Sequence, residues 1–245
     1  MELNDREMLR VENLSVFYGH VRALDKVSIR VMHGEFLVLI GANGAGKSTF
    51  LESVLGLHRP RTGRIRFQNQ DITNLPTDRI VAGGIALCPE GRGILPEMSV
   101  LENLLLGAYQ NPKMIQSGLE RIFEYFPILK GHQKLKAGSL SGGQQQMLSI
   151  GRALMASPKL LMMDEPTLGL APIIVNEMLQ IIQVLARDAH TVLLSEQNAR
   201  KSLQYAQRAY VFETGRIVLE GLSQDLMKNE NVIHAYLGGK KNLNA

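Results

Sequence analysis

Three short stretches of this chain carry side chains and backbone suited to phosphate chemistry. Gly41 to Ser48 read GANGAGKS, which fits the glycine-rich phosphate-loop pattern. Glycines let such a loop curl until its N–H groups converge on phosphate oxygens, and the N-terminus of the following helix adds the positive end of its dipole. In that cradle Gly41, Ala42, Asn43, Gly44, Ala45 and Gly46 supply backbone, and Lys47 neutralises the β- and γ-phosphates. Ser48 offers its hydroxyl to Mg²⁺, and Thr49 extends the binding run into the first helical turn. The same glycines without a ligand would be an ordinary turn. The context argues against that, because the apolar run Phe36 to Ile40 precedes the loop as a strand, and Phe50, Leu51, Val54 and Leu55 follow at helical spacing.

A metal beside phosphates needs hard oxygen ligands at a neighbouring strand end. Leu160 to Met163, followed by Asp164 and Glu165, supply them. Asp164 suits the Mg²⁺ shell, and Glu165 can polarise an attacking water as a general base. An acidic pair after an apolar strand is often only a capped turn; beside GANGAGKS it reads as catalytic.

The third stretch, LSGGQ at Leu140 to Gln144, is a second glycine-rich anion cradle with no obvious ligand within one chain. It makes sense as half of another subunit's site. If two chains pack head to tail, Ser141, Gly142, Gly143 and Gln144 of one meet the γ-phosphate held by the other. ATP then holds the pair together, and hydrolysis releases it.

The elements that must position these groups alternate. Val27, Ile29 and Val31 form a half-buried strand, and Ile65 to Phe67 with Ile72 flank a polar turn at residues 68–71. Ser99 and Glu102 make a capping box that opens a helix, and a second helical pattern runs through Ile115, Leu119, Ile122, Phe123 and Phe126. A helix over Gln145 to Met155 follows the glycine turn. Strands return at Leu160 to Met163 and Thr191 to Leu194, separated by a helix from Pro172. A hairpin turning at residues 213–216, a last helix and a frayed tail at residues 238–245 complete the chain. The fold class is α/β: residues 1–95 and 158–245 form one nucleotide-binding core with a β-rich N-terminal part and a parallel sheet, and 96–157 form an inserted helical lobe.

With 245 residues and 45% apolar content the chain can bury a large core. Its 27 basic against 23 acidic residues are spread out rather than gathered into a basic arm, so nucleic acid is not indicated as a partner. The single cysteine, Cys88, excludes an internal disulfide framework and reads as a small buried strand residue. The charged start MELNDREMLRVEN lacks the apolar core of a signal peptide, and no apolar run approaches the roughly 18 residues that span a bilayer. His20, His33, His58, His132 and His234 lack metal-ligand spacing.

The order and spacing of GANGAGKS, LSGGQ and LLMMDEPT resemble the Walker A, signature and Walker B motifs of the nucleotide-binding subunit of ATP-binding-cassette (ABC) transporters. The resemblance covers nearly the whole chain. It implies a P-loop NTPase core with an N-terminal antiparallel β subdomain and an inserted α-helical subdomain, with ATP and Mg²⁺ as ligands. It places Tyr18, in FYGHVRAL, against adenine. MLRVENLSVFYG, PEGRGILPEMSVLENL, EPTLGLAP, LLSEQNA and AYLGG are similar to the F-type (LivF-like) ATPase subunit of branched-chain amino-acid importers, with a urea or amide importer subunit as the rival. The implied partners are a second ABC ATPase subunit, in a hetero- or homodimer, and transmembrane permease subunits, served indirectly by an extracytoplasmic binding protein. The implied place is the cytoplasmic face of the inner membrane.

Three positions depart from the general family pattern. Glu90, in CPEGRG, stands where most members have a glutamine; its carboxylate suits the metal side of the site better than the phosphate side, and the alternatives are that it anchors its loop or mainly couples to the membrane partner. Gln197 replaces the usual histidine, and its amide can donate to the γ-phosphate without becoming cationic. Ala171 takes the place of an aspartate. A nucleic-acid-associated ABC ATPase is disfavoured because neither tandem cassettes nor a long coiled insertion is present, and a P-loop kinase because LSGGQ has no use there.

Overall fold

Met8, Leu9, Val11, Leu14 and Val16 are buried along β1 (Glu7–Tyr18), which pairs antiparallel with β2 (Val21–Met32). The computed structural model describes residues 7–110, 112–188, 190–230 and 232–233. The sequence periodicity reveals β2 but not β1. Register shifts along the pair, with Asn13 and Lys26 at positive φ, break the strict alternation that marks a half-buried strand. β4 (Thr62–Phe67) joins the other side of β1, and β5 (Gln70–Asp71) pairs with β4, giving the antiparallel order β2-β1-β4-β5. The expected turn at 68–71 narrows to Gln68 and Asn69, both at positive φ, a two-residue hairpin turn.

The second sheet has six strands in the order β10-β9-β3-β8-β7-β6: β3 (Phe36–Gly41), β6 (Ile85–Cys88), β7 (Leu160–Asp164), β8 (Thr191–Glu196), β9 (Arg208–Glu213) and β10 (Arg216–Leu222). Every pair is parallel except β9 with β10. Register brings Ile40 opposite Glu196 and Asp164 opposite Ser195, so the ends of β3, β7 and β8 open at one edge. In a parallel sheet that carboxyl edge is where ligands bind. β3 is buried on both faces. Phe36, Val38 and Ile40 enter the core shared with the helices, while Leu37 and Leu39 enter the core between the sheets. α1 (Lys47–Val54) packs Phe50, Leu51 and Val54 into the latter, with the Phe50 and Phe212 rings 6.0 Å apart.

α2 (Thr77–Gly83) leads into β6. Between β6 and β7 run α3 (Val100–Gly107), a 3₁₀ turn at Pro112–Met114, α4 (Ile115–Tyr125), α5 (Pro127–Gly131) and α6 (Gly142–Leu154). The capping box of Ser99 and Glu102 opens α3. The sequence missed a second one. The expected helix starts three residues earlier, with Ser141 as its N-cap: Ser141 Oγ accepts the Gln144 N–H, and Gln144 Oε1 accepts the Ser141 N–H at 3.0 Å. The signature glycines therefore form the first turn of α6 rather than a turn ahead of it. α3 crosses α6 at a glycine, since a Cβ on Gly107 would stand 1.9 Å from the Arg152 carbonyl oxygen. These helices share their core with the sheet: Leu104, Ile122, Leu129 and Leu148 join Val38 and Met163 in one cluster.

α7 (Pro172–Arg187) buries Val175, Met178, Leu179 and Ile182 as the periodicity predicts. α8 (Ala199–Tyr205), which the sequence did not reveal, follows β8, and α9 (Ser223–Leu226) follows β10. His234, the AYLGG stretch and the expected tail lie outside the described residues. No described helix is long and apolar enough to cross a membrane.

Candidate functional site

The phosphate loop links β3 to α1, and its shape is imposed by glycine. Gly46, the N-cap of α1, has φ 107°, and a Cβ there would press within 2.9 Å of Leu24. Lys47 begins the helix and is buried, donating from Nζ to the carbonyls of Gly41 at 2.8 Å and Ala42 at 3.2 Å. The same ammonium stands 3.0 Å from Glu165 Oε1. Its angle does not make a hydrogen bond, so Oε1 has an ion-pair contact but no hydrogen-bond partner.

A cavity of about 540 Å³ opens over this loop. Asn43 to Thr49 line it, with Tyr18, Glu90 and Glu165 on the other walls. Gly41 and Ala42 lie just behind, holding Lys47. Tyr18 is 45% exposed, so it is not a core residue; its hydroxyl is 3.2 Å from Thr49 Oγ1, and its ring meets His58 edge to face at 4.9 Å. His58 in turn contacts Glu52 at 3.0 Å. Sequence reasoning missed Arg22, Ala23, Thr214 and Gly215, which also line the cavity. Thr214 and Gly215 form the tight β9–β10 turn, and only the sheet order brings that turn beside the loop.

The acidic pair ends β7. Asp164 is buried and its Oδ1 accepts from Ser195 Oγ. Glu165 sits at φ 47° and is anchored by three contacts from the end of β8. Its N–H reaches the Ser195 carbonyl at 3.1 Å and Ser195 Oγ at 3.2 Å, and its Oε2 accepts the Gln197 N–H at 3.0 Å. Gln197 thus touches Glu165 through its backbone. Its exposed side chain lines a neighbouring cleft of about 450 Å³ rather than the main cavity, and Glu165 borders both. His190 lies at the opposite end of β8, against the Pro158 carbonyl.

Glu196 gave no signal in the sequence. It is buried, and its Oε1 accepts the Thr167 hydroxyl at 2.7 Å and the Thr167 N–H at 3.2 Å. Burial, with the nearby Glu165 charge adding to it, pushes its carboxyl up to about 7 against the lowering by the Thr167 hydrogen bonds. Burial likewise pushes the Cys88 thiol up to about 11, which suits an inert core residue.

Ser141 to Gln144 do not line the cavity. Ser141 is exposed at the start of α6, and as a cap its oxygen accepts while its proton stays free to donate. No cluster of three or more His, Cys, Asp or Glu among the described residues is arranged to hold a metal. Of the three expected metal ligands, Ser48 and Glu90 line the cavity, whereas Asp164 is not part of its lining and accepts from Ser195 at the end of β7; a hydroxyl and carboxylates are hard oxygen donors of the kind Mg²⁺ takes.

The profile of the ABC transporter family matches residues 24–168. The chain is 46% identical over 233 residues to the high-affinity branched-chain amino acid transport ATP-binding protein BraG of Pseudomonas aeruginosa, covering 95% of this chain and all of the relative. It is 37% identical to a probable branched-chain amino acid transport ATP-binding protein, LivG, of Methanocaldococcus jannaschii, over 95% and 98% of the two chains. It is 34% identical to the lipopolysaccharide export ATP-binding protein LptB of Haemophilus influenzae, over 94% and 97%. Among solved structures it is similar to an ATP-binding cassette of an ABC transporter in its ADP conformation, with TM-score 0.85 and 34% identity over 95% and 99% of the chains. A nucleotide-free cassette gives TM-score 0.84 and 33% identity over 95% and 100%. From its phosphate loop to its capped signature turn, over nearly its full length, this chain belongs to the ABC transporter family.

Proposed function

We infer that this chain is the ATP-hydrolysing subunit that powers a branched-chain amino acid importer. The 46% identity to BraG across 95% of the chain supports the cargo class. The observation that carries the chemistry is Glu165, fixed through Oε2 by the Gln197 N–H, with Oε1 lacking a hydrogen-bond partner at the cavity wall.

Asn43 to Gly46 wrap the triphosphate with backbone N–H groups, and Lys47 leaves its carbonyl partners to meet the β- and γ-phosphates. Tyr18 stacks on adenine. Ser48 and Asp164 would hold Mg²⁺, with Glu90 on the metal side, and the ion would screen phosphate charge. Glu165 Oε1 accepts a proton from water as the water oxygen attacks the γ-phosphorus and ADP leaves. The Gln197 amide steadies the γ-phosphate from the cleft side. Gly142, Gly143, Gln144 and the free Ser141 proton complete the site of a second ATPase subunit packed head to tail, so that ATP closes the pair and hydrolysis opens it. Because Gln197 cannot become cationic and Ala171 offers no carboxylate, the pair is asymmetric, with the sister ATPase the better equipped. The pair sits on permease subunits at the cytoplasmic face of the membrane, and a binding protein on the other side delivers cargo.

Uptake of labelled leucine by cells whose only copy of this chain carries Glu165→Gln tests the assignment. Uptake should fall to background while urea uptake is unchanged. Unaltered leucine uptake would overturn it.

A further inference from the structure

α1 starts at the phosphate loop and carries Thr49 and Glu52, spaced i and i+3 and so neighbours on one face. Past Leu55 the chain reverses in a glycine cap. The Gly56 N–H donates to the Ser53 carbonyl at 3.1 Å and the Leu57 N–H to the Glu52 carbonyl at 2.9 Å, the two bonds of a Schellman motif. Gly56 sits at φ 80°, and a Cβ there would stand 2.8 Å from Ile80 Cδ1. The cap returns the chain so that His58 Nε2 lies 3.0 Å from Glu52 Oε2. A carboxylate only accepts, so Nε2 carries the hydrogen and the bond fixes how the imidazole is turned.

That imidazole meets the Tyr18 ring with centroids 4.9 Å apart and planes at 86°, the edge-to-face geometry that aromatic pairs prefer. Thr49 supports the same side chain differently. Its Oγ1 is 3.2 Å from the Tyr18 hydroxyl, which lies on the axis about which a phenol ring turns. A bond there holds the tip of the side chain and leaves the ring plane free to rotate; the contact with His58 holds the plane. Tyr18 and Thr49 line the nucleotide cavity, whereas His58 does not. Any influence of His58 on a bound base therefore passes through Tyr18.

We propose that His58, oriented by Glu52, is a positioning residue that fixes the plane of the Tyr18 ring relative to the phosphate loop, so that a purine base and its phosphates engage the site together. The proposal rests on the reading of Tyr18 as the partner of adenine. Glu52 and the phosphate-binding Lys47 to Thr49 belong to one helix, so the platform for the base is tied to the cradle for the phosphates. A ring already held in its stacking plane loses less freedom when the base arrives.

The test is equilibrium binding of MgATP, MgADP and inorganic tripolyphosphate, which has no base, to the full chain. His58→Ala should weaken ATP and ADP alike by about threefold and leave tripolyphosphate within about 1.5-fold, since only the base meets Tyr18. His58→Phe keeps an aromatic edge without needing Glu52, and should return ATP to within about 1.5-fold of wild type. In a Tyr18→Ala background, His58→Ala should cost less than about 1.5-fold more, as expected for two residues acting through one contact. In turnover the KM for ATP should rise about threefold with kcat within about 1.5-fold. Wild-type ATP binding in His58→Ala, an equal loss for tripolyphosphate, or the same threefold cost in the Tyr18→Ala background overturns the proposal. The adenine reading fails separately, and the proposal with it, if Tyr18→Ala binds ATP as tightly as wild type.

Discussion

Lys47 Nζ and Glu165 Oε1 stand 3.0 Å apart with both side chains buried, joining the phosphate loop to the end of β7. Removing one charge from a buried pair leaves the other uncompensated, at a cost of about 3–5 kcal/mol. Lys47→Ala should therefore lose both nucleotide binding and stability, and Lys47→Ala with Glu165→Gln should recover much of the stability without recovering binding. Thermal unfolding alongside nucleotide titration checks the two halves of this cycle.

Glu165→Gln alone keeps the shape of the site and removes the proposed proton acceptor. Hydrolysis should fall by roughly 10²–10⁴-fold, the range for loss of a general base. ATP binding should hold or tighten as a negative charge leaves the neighbourhood of the γ-phosphate. Steady-state phosphate release and equilibrium binding read these outcomes independently.

Glu196 sets a pH dependence of stability. Its folded carboxyl titrates near 7, above the ordinary value of 4.5. Between those values the unfolded chain has released its proton while the folded chain retains it. The stabilising contribution is full below about 4.5 and is lost as pH rises through about 7. Glu196→Gln can still accept from Thr167 and carries no charge, so it should flatten that slope and be more stable than wild type at pH 8, by on the order of 2–3 kcal/mol. Denaturant titrations at pH 5 and pH 8 test this, and an unchanged slope would assign the pH dependence to other groups.

Ser141 has two proposed duties, which one substitution separates. Aspartate caps a helix as well as serine does, so Ser141→Asp should unfold at the wild-type temperature. Its carboxylate would nevertheless oppose the γ-phosphate of the partner's nucleotide, and MgATP-driven association in the Glu165→Gln background should weaken by tenfold or more, on the order of 1.4 kcal/mol. Analytical ultracentrifugation would show it. Ser141→Ala should instead cost about 1 kcal/mol of stability.

Tyr18 contributes an exposed ring face. Tyr18→Ala should weaken ATP and ADP alike by about fivefold, consistent with an aromatic contact of roughly 1 kcal/mol. Tyr18→Phe should stay within about twofold, because the hydroxyl contacts Thr49 at 3.2 Å on the protein side. Fluorescent-nucleotide displacement measures both.

What the sequence determined by itself was local: the loop at Gly41 to Ser48, the capping box at Ser99, the helix starting at Pro172, and strands whose apolar runs are continuous because both faces are buried. Contiguous residues fold into one motif whatever surrounds them, so their chemistry can be read in order. Strand pairing and helix docking decided the rest. They put Ser195 and Gln197 around Glu165, buried Glu196 against Thr167, turned Gln197's side chain into the neighbouring cleft, brought the β9–β10 turn to the cavity and set His58 against Tyr18. Hydrophobic period reports which face of an element is buried and carries no label for the element packed against it, so contacts between distant stretches became visible only in three dimensions.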